Sequence, residues 1–489
     1  MTRLALTIAL ALWARTAVAQ EPPAALRPAV EAHQAGDVNG EASALLQAID
    51  SSRASASHGA AWAMLGDLLA AESMNATAVY AYGKALETGA SAMGPRLADA
   101  LALARSTGDF DALGEGGLAG DLSTLGSTPE RSELAVLAAR VAIRDGDFTR
   151  AVEVTDTVAM THPSIVDART LRGIALSNQQ AYGDALASLL IAEAAATGTD
   201  DHDWVSLNLA RAYYGAQNPL RAIEHYVQVS RGSELWLDAH WERAWAHFSV
   251  DDMPGTLSLL RAFQTPYLQD TYLAEGDMLR VYALFLMCKF PTAKVELDAF
   301  TSRYRPLLDD LDRTLVSASP AVAWADLRRY RETGESSLPA IVHDQFDGDD
   351  RMQRALVTTA LLAAERDALT SRGADWSTDL AAQPGARHDA LIEREGKRIL
   401  DRAVAMQSEL REWLGNADLT RLDILDYETK LLERAAVTGE VDLGDRLGEL
   451  RGLRRRRGTR VWPATTEVWA DEVGYESVRT RSDCREDLL

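Results

Sequence analysis

The sequence predicts an all-α chain: a solenoid of stacked helical hairpins, then a hairpin of long helices and an irregular, aromatic-rich tail. Three observations carry that prediction. Ala78, Ala112, Ala151, Ala185, Ala222 and Ala293 recur at intervals of 34 to 39 residues, with Thr256 filling the one gap. Each is preceded, 12 residues earlier, by a second small residue or valine: Gly66, Ala100, Ala139, Gly173, Ala210, Ala244 and Val281. Paired helices approach closely only where side chains are minimal, so small residues at two fixed offsets mark stacked hairpins. Beyond residue 306 that phase is lost, and apolar residues recur four and three apart, the mark of long packed helices.

The chain opens with an expected export signal. Arg3 is its basic start, Leu4 to Trp13 its apolar stretch and Ala17-Val18-Ala19 its cleavage site, leaving a mature chain from Gln20. The apolar run is too short to span a bilayer, and no later segment reaches ~18 uninterrupted apolar residues. A periplasmic or secreted protein without a membrane span is therefore expected. The 50 Lys+Arg against 72 Asp+Glu leave a formal charge of −22, which argues against a general nucleic-acid binder. An apolar content of 47% argues against wholesale disorder.

Placing each recurring alanine at position 20 of a 34-residue frame aligns eight units over residues 23–306. The second unit has Trp62, Leu65-Gly66, Leu69, Ala78, Tyr82 and Ala85 at positions 4, 7, 8, 11, 20, 24 and 27. The fourth has Ala139, Ala142, Ala151, Val158 and Pro163, and the sixth Leu209, Ala210, Tyr213, Ala222, Tyr226 and Val229. A weaker first unit runs through Val30, His33, Ala42, Leu46 and Ile49. Turn signals separate the paired helices: Gly36-Asp37, Gly108-Asp109, Gly146-Asp147, Gln217-Asn218 and Asp251-Asp252. This pattern resembles the tetratricopeptide repeat superfamily, in the form of an exported bacterial member. The resemblance implies a right-handed superhelix over residues 20–306 and a role in holding other proteins.

The third unit departs from the pattern. Gly114, Gly116, Gly117 and Gly120 crowd its second helix, and each costs about 1 kcal/mol against alanine there. A frayed helix or a hinge is expected. A phosphate loop is not, because the G-x-G-x-x-G spacing and a preceding strand are both missing.

Residues 307–350 read as a helix and linker, 351–445 as a long antiparallel helical hairpin and 446–489 as a basic and aromatic tail. Ile392, Gly396, Ile399, Ala403, Met406, Leu410 and Trp413 form an a/d seam, resumed by Ile424, Tyr427 and Leu431. The breakers Gln383-Pro384-Gly385 are expected to separate the hairpin's two helices. The seam serves either packing within the chain or a homodimer through residues 392–431. The arginines from Arg451 to Arg460, with Arg454, Arg455, Arg456 and Arg457 at their centre, offer contact to an anionic envelope polymer or remain a solvated run. Trp462, Trp469, Val473 and Tyr475 make the tail too aromatic to stay in water.

In tetratricopeptide repeats the groove is lined from frame positions 2, 5, 9 and 12. Those positions hold Trp204, Leu207, Arg211 and Tyr214 in unit six, Trp241, Trp245 and Phe248 in unit seven, and Met278, Tyr282 and Phe285 in unit eight. An apolar face of this kind marks an interaction site, and its residue types are those of hot spots. Either a protein or peptide partner fills it, or the chain's own hairpin or tail does. Cys288 and Cys484, the two cysteines, are expected to pair in an oxidising compartment.

No catalytic motif, cofactor site or metal site is read. His240 and His247 fall at packing positions, and none of Glu72-Ser73, Glu335-Ser336 and Glu476-Ser477 sits in a lytic-enzyme domain pattern. The expected function is a non-enzymatic scaffold or adaptor in the bacterial cell envelope. The alternatives are a self-covered structural protein oligomerising through its C-terminal helices and, less favoured, a cell-wall lytic enzyme built on an α-superhelix.

Overall fold

The computed structural model describes residues 22–51, 56–126, 128–373, 375–438 and 470–484. The export signal, Arg454, Arg455, Arg456, Arg457, Trp462 and Trp469 lie outside the described residues. All regular structure among the described residues is helical.

Sixteen helices form eight successive hairpins. They are α1 (Arg27–Ala35) with α2 (Val38–Ser51), α3 (Ala56–Ala71) with α4 (Asn75–Gly89), α5 (Leu97–Thr107) with α6 (Phe110–Ala119), and α7 (Pro129–Arg144) with α8 (Phe148–Thr155). There follow α9 (Ile165–Asn178) with α10 (Tyr182–Ala196), α11 (His202–Gly215) with α12 (Pro219–Tyr226), α13 (Trp236–Phe248) with α14 (Met253–Leu260), and α15 (Ala274–Leu286) with α16 (Phe290–Thr314). Four more α-helices follow among the described residues: α17 (Pro320–Thr333), α18 (Ala340–Asp344), α19 (Asp350–Ser371) and α20 (Asp375–Thr438).

The repeat is written in the turns as well as in the alanines. In six of the seven hairpins marked by the recurring alanine or Thr256, the residue five positions before it is left-handed: Ser73, Gly146, Gln180, Gln217, Asp251 and Cys288 have φ between +57° and +77°. That residue ends the first helix by reversing the chain. In three of these hairpins the next residue caps the second helix: Asp147, Asn218 and Asp252 each accept from the backbone N–H three residues on. The small residues work as spacers within each hairpin. A Cβ on Gly66 would stand 2.4 Å from the Tyr82 ring, and one on Gly173 would stand 2.4 Å from Leu189.

The glycines of α6 correct the expectation of a frayed helix. α6 is regular, capped by Asp109, and most of its glycines are buried. A Cβ on Gly116 would lie 2.2 Å from the Gly83 carbonyl oxygen, and one on Gly114 would lie 2.8 Å from that of Leu137. Neighbouring backbones on both sides come too near for any side chain, so these glycines are contacts rather than defects.

The chain forms two compact units, the first from residues up to Asn208 with Gly348–Glu395, the second from Leu209–Asp347 with residues from Gly396 onward. In the first unit α19 and the start of α20 make an antiparallel hairpin, with Arg351 at one end paired to Glu395 and Arg372 at the other stacked near Trp376. Its turn lies at Arg372–Gly373, ten residues before the expected breakers, and Pro384 and Gly385 sit inside α20. The hairpin docks on the first three repeats through polar bonds. Trp376 Nε1 donates to Asn39 (2.7 Å), Thr358 Oγ1 donates to the Thr107 carbonyl (3.0 Å), and Glu365 accepts from the Ala76 and Thr77 N–H groups (2.9 and 2.8 Å).

In the second unit the predicted seam is spent inside the chain. Ile399, Ala403, Met406, Leu410 and Ile424 are fully buried, and Gly396 lies against the Pro320 carbonyl. A homodimer through this face of residues 392–431 is thereby corrected, because its apolar residues already serve the core. Tyr272 donates to Glu409, Tyr282 faces Trp413, and Lys294 pairs with Glu428, so α20 also covers the eighth hairpin.

Candidate protein-binding face

The inner-face positions of the frame behave differently in the two units. In the second unit, α13 carries Trp241, Trp245 and Phe248 on one side, all half-buried, with Trp245 and Phe248 edge to face at 5.6 Å. Trp245 and Phe248 rest on a core of Ala244, Leu259, Leu260 and Leu279. Tyr214, at the end of α11, is half-buried as well. Burial pushes the Tyr214 phenol and the Glu275 carboxyl above their ordinary values, so this face is already partly withdrawn from water.

Not every predicted position reaches a surface. Leu207 and Met278 are 1% and 0% exposed and belong to the core. Arg211 is held by Glu242 at 2.5 Å and Asp238 at 3.3 Å. Tyr282 faces Trp413 of α20, and Phe285 packs edge to face on Phe290 at 5.8 Å. Trp204 and Leu207 belong to the first unit, where the Arg140 guanidinium lies 6.0 Å from the Trp204 ring centroid. The structure leaves Trp241, Trp245, Phe248 and Tyr214 as the aromatic group of the second unit.

The tail takes another course. Its described part runs past Arg231, Trp236 and Ser258 to Met287 and Lys289, and Cys288 is joined to Cys484. His240 lies beside this path, 4% exposed, its Nε2 donating to the Leu259 carbonyl at 3.0 Å. His247 bonds Asp252 at 2.8 Å, the cap of its own turn. Both histidines thus bond within the seventh hairpin.

In the first unit the same frame positions line a cavity of about 590 Å³. Leu101, Glu133, Val136, Arg140 and Asp167 form one wall, and Arg351, Arg354 and Arg394 of α19 and α20 form the other. Its floor is a network in which Asp111 meets Arg394 (2.6 Å) and Arg144 (3.0 Å). Burial pushes the Asp111 carboxyl up, but Arg394 and Arg144 outweigh it and hold the group below its ordinary value. At the rim, Arg105 pairs with Glu133 and Arg140 with Asp167, all four side chains about a third to half exposed. Applied to units three to five, the frame would have found the repeat wall. The α19–α20 wall carries no repeat signal.

No family model and no curated protein matches this sequence. Among solved structures, the chain is similar to a tetratricopeptide repeat protein from Parabacteroides merdae, at 13% identity and a TM-score of 0.30, over 57% of this chain and 91% of that one. It is also similar to a chain of the Naa15/Naa10 complex bound to HypK-THB, at 15% identity and a TM-score of 0.33, over 85% of this chain and 62% of that one. The protein is an all-α helical-hairpin repeat protein on the strength of its own eight hairpins.

Proposed function

We propose that this chain is a non-enzymatic scaffold that binds a protein partner in the bacterial cell envelope through the aromatic face of α13. The observation that carries the reading is the group Trp241, Trp245 and Phe248, packed on the core beneath yet still half open. Aromatic side chains with one face buried and one available supply large contact area at small entropic cost. The cavity of the first unit supplies a second contact. Its rim pairs are solvent-exposed ion pairs, worth at most ~1 kcal/mol each, so a partner carboxylate can exchange with Glu133 or Asp167.

An exported compartment is supported by the signal-like first 19 residues and by the Cys288–Cys484 bond. The test is capture from envelope extracts with tagged wild type, Trp241→Ala/Trp245→Ala and Arg140→Ala. The expected result is loss of one defined partner with the tryptophan variant at matched thermal stability, and a weaker loss with the arginine variant. Undiminished capture by the tryptophan variant overturns the reading. Fractionation with N-terminal sequencing tests export, for which a mature start at Gln20 is expected.

A further inference from the structure

The described tail, residues 470–484, has a turn at its start and no helix or strand after it, yet it is held at both ends. At its start Arg231 donates to the Ala470 and Asp471 carbonyls at 2.6 and 2.5 Å. The same guanidinium lies 5.0 Å from the Tyr475 ring centroid and 5.8 Å from that of Trp236. Gly474 is left-handed at φ +90°, and the Trp236 ring occupies the space a Cβ would need, 2.5 Å away. Midway, the Val478 N–H donates to Ser258 Oγ at 2.8 Å. At the end, the Asp483 N–H donates to the Met287 carbonyl at 2.9 Å, and its carboxylate pairs with Lys289. The Lys289 side chain is 2% exposed, so Asp483 neutralises a buried ammonium. The next residue, Cys484, is bonded to Cys288.

The balance of these contacts decides what the bond does. Each residue of an extended segment loses backbone freedom on docking, and contacts must offset that loss. Val473, 5% exposed, is the one buried apolar side chain of the described strap before the disulfide, and most of its neighbours face water. The strap is already tethered through the chain, and the covalent link adds a second tether only a few residues long to the anchors near Lys289, which raises their effective concentration. Its fixed half, Cys288, sits at the left-handed turn position of the eighth hairpin, a rigid part of the repeat.

We infer that residues 470–484 are a redox-latched strap over the seventh and eighth hairpins: the Cys288–Cys484 bond holds it closed, and reduction by a dithiol frees it and uncovers Trp236 and Lys289. In that step a thiolate of the dithiol attacks the disulfide and its second thiol resolves the mixed disulfide. The reductant leaves as its own disulfide, and Cys288 and Cys484 each take up one proton as thiols. Cys484, half-buried, is the more open of the two sulfurs, since Cys288 is 7% exposed.

Hydrogen exchange read by mass spectrometry tests this on the full chain, oxidised, reduced with dithiothreitol, and as Cys484→Ser without reductant. Amides of residues 470–484 are expected to exchange at least ~tenfold faster in the reduced and serine forms, while α13 to α16 keep their protection. Unchanged strap exchange on reduction overturns the latch, since the remaining anchors would then suffice. Exchange of α13 to α16 in step with the strap also overturns it, because the bond would then be a staple of the whole unit. Reduction of the folded chain keeps the test independent of whether Cys484→Ser folds.

Discussion

At the scale of single residues, a recurring triad ties neighbouring helices together, within a hairpin or between successive ones. Tyr82 donates to Asp67, which Arg96 holds; Tyr226 donates to Glu242, which Arg211 holds; Tyr304 donates to Asp277 near Arg303. Burial, and after it the carboxylate, pushes each phenol well above its ordinary value. Tyr82→Phe leaves the half-buried Asp67 carboxylate one donor short and should cost about 1 kcal/mol, read from a urea unfolding midpoint. Gly116→Ala should cost at least ~1–3 kcal/mol, because the added methyl meets the Gly83 backbone rather than a movable side chain. Gly146→Ala, in open space at φ +77°, should cost only about 1 kcal/mol. If the two glycine variants lost equal stability, close approach would not be what the glycines of α6 provide.

At the scale of elements, the α19–α20 hairpin is attached to the repeats by charge as much as by apolar contact. Glu365 caps α4 from outside, taking the N–H groups of Ala76 and Thr77 and the Thr77 hydroxyl at 2.6 Å. Arg387 of α20 bonds Asp109 at 2.7 Å with both side chains almost fully buried, and reaches Glu115 at 2.9 Å. Asp109 is also the cap of α6, so one carboxylate serves two elements. Arg387→Met strands that carboxylate and should cost about 3–5 kcal/mol, whereas Glu365→Ala removes a cap and should cost about 1–2 kcal/mol. Calorimetry of the two variants should rank them in that order, and the reverse ranking would place the attachment at α4 instead.

At the scale of the whole molecule, stability should fall on both sides of neutrality. Tyr82, Tyr226, Tyr272 and Tyr304 are held protonated when folded, whereas an unfolded phenol ionises near pH ~10. Their raised folded values mean that stability is whole below pH ~10 and is lost as pH rises above it. On the acid side, burial, reinforced by Arg243, lowers His240 from 6.5 to about 4. The unfolded imidazole takes its proton first, so stability is full above about pH 6.5 and erodes down to about pH 4, by roughly 3 kcal/mol at most. Burial raises the Asp67 and Asp277 carboxyls, which acts in the opposite direction as pH falls. Thermal scans of wild type against His240→Gln should show a gap at pH 7 that narrows towards pH 4. A constant gap would mean that His240 does not titrate on unfolding.

Much of this protein was legible in its sequence because the repeat is a local object. Gly66 meets Tyr82 sixteen residues on and Gly173 meets Leu189 at the same separation, so the constraint on side-chain size recurs with the period. The frame therefore placed the hairpins and the half-open aromatics of α13, and it assigned His240 to packing. It could not say which inner-face positions stay open, because the elements that cover them lie far away in the chain. Thr107 meets Thr358 and Ala76 meets Glu365 across 251 and 289 residues, and such contacts leave no periodic trace. Proline and glycine misled at residues 384 and 385 for the same reason: burial along α20 outweighs the local cost of a breaker, about 3 kcal/mol for proline. Period and residue size set the hairpins from sequence alone. Which faces are covered was decided by long-range packing, in which no one segment records its partner.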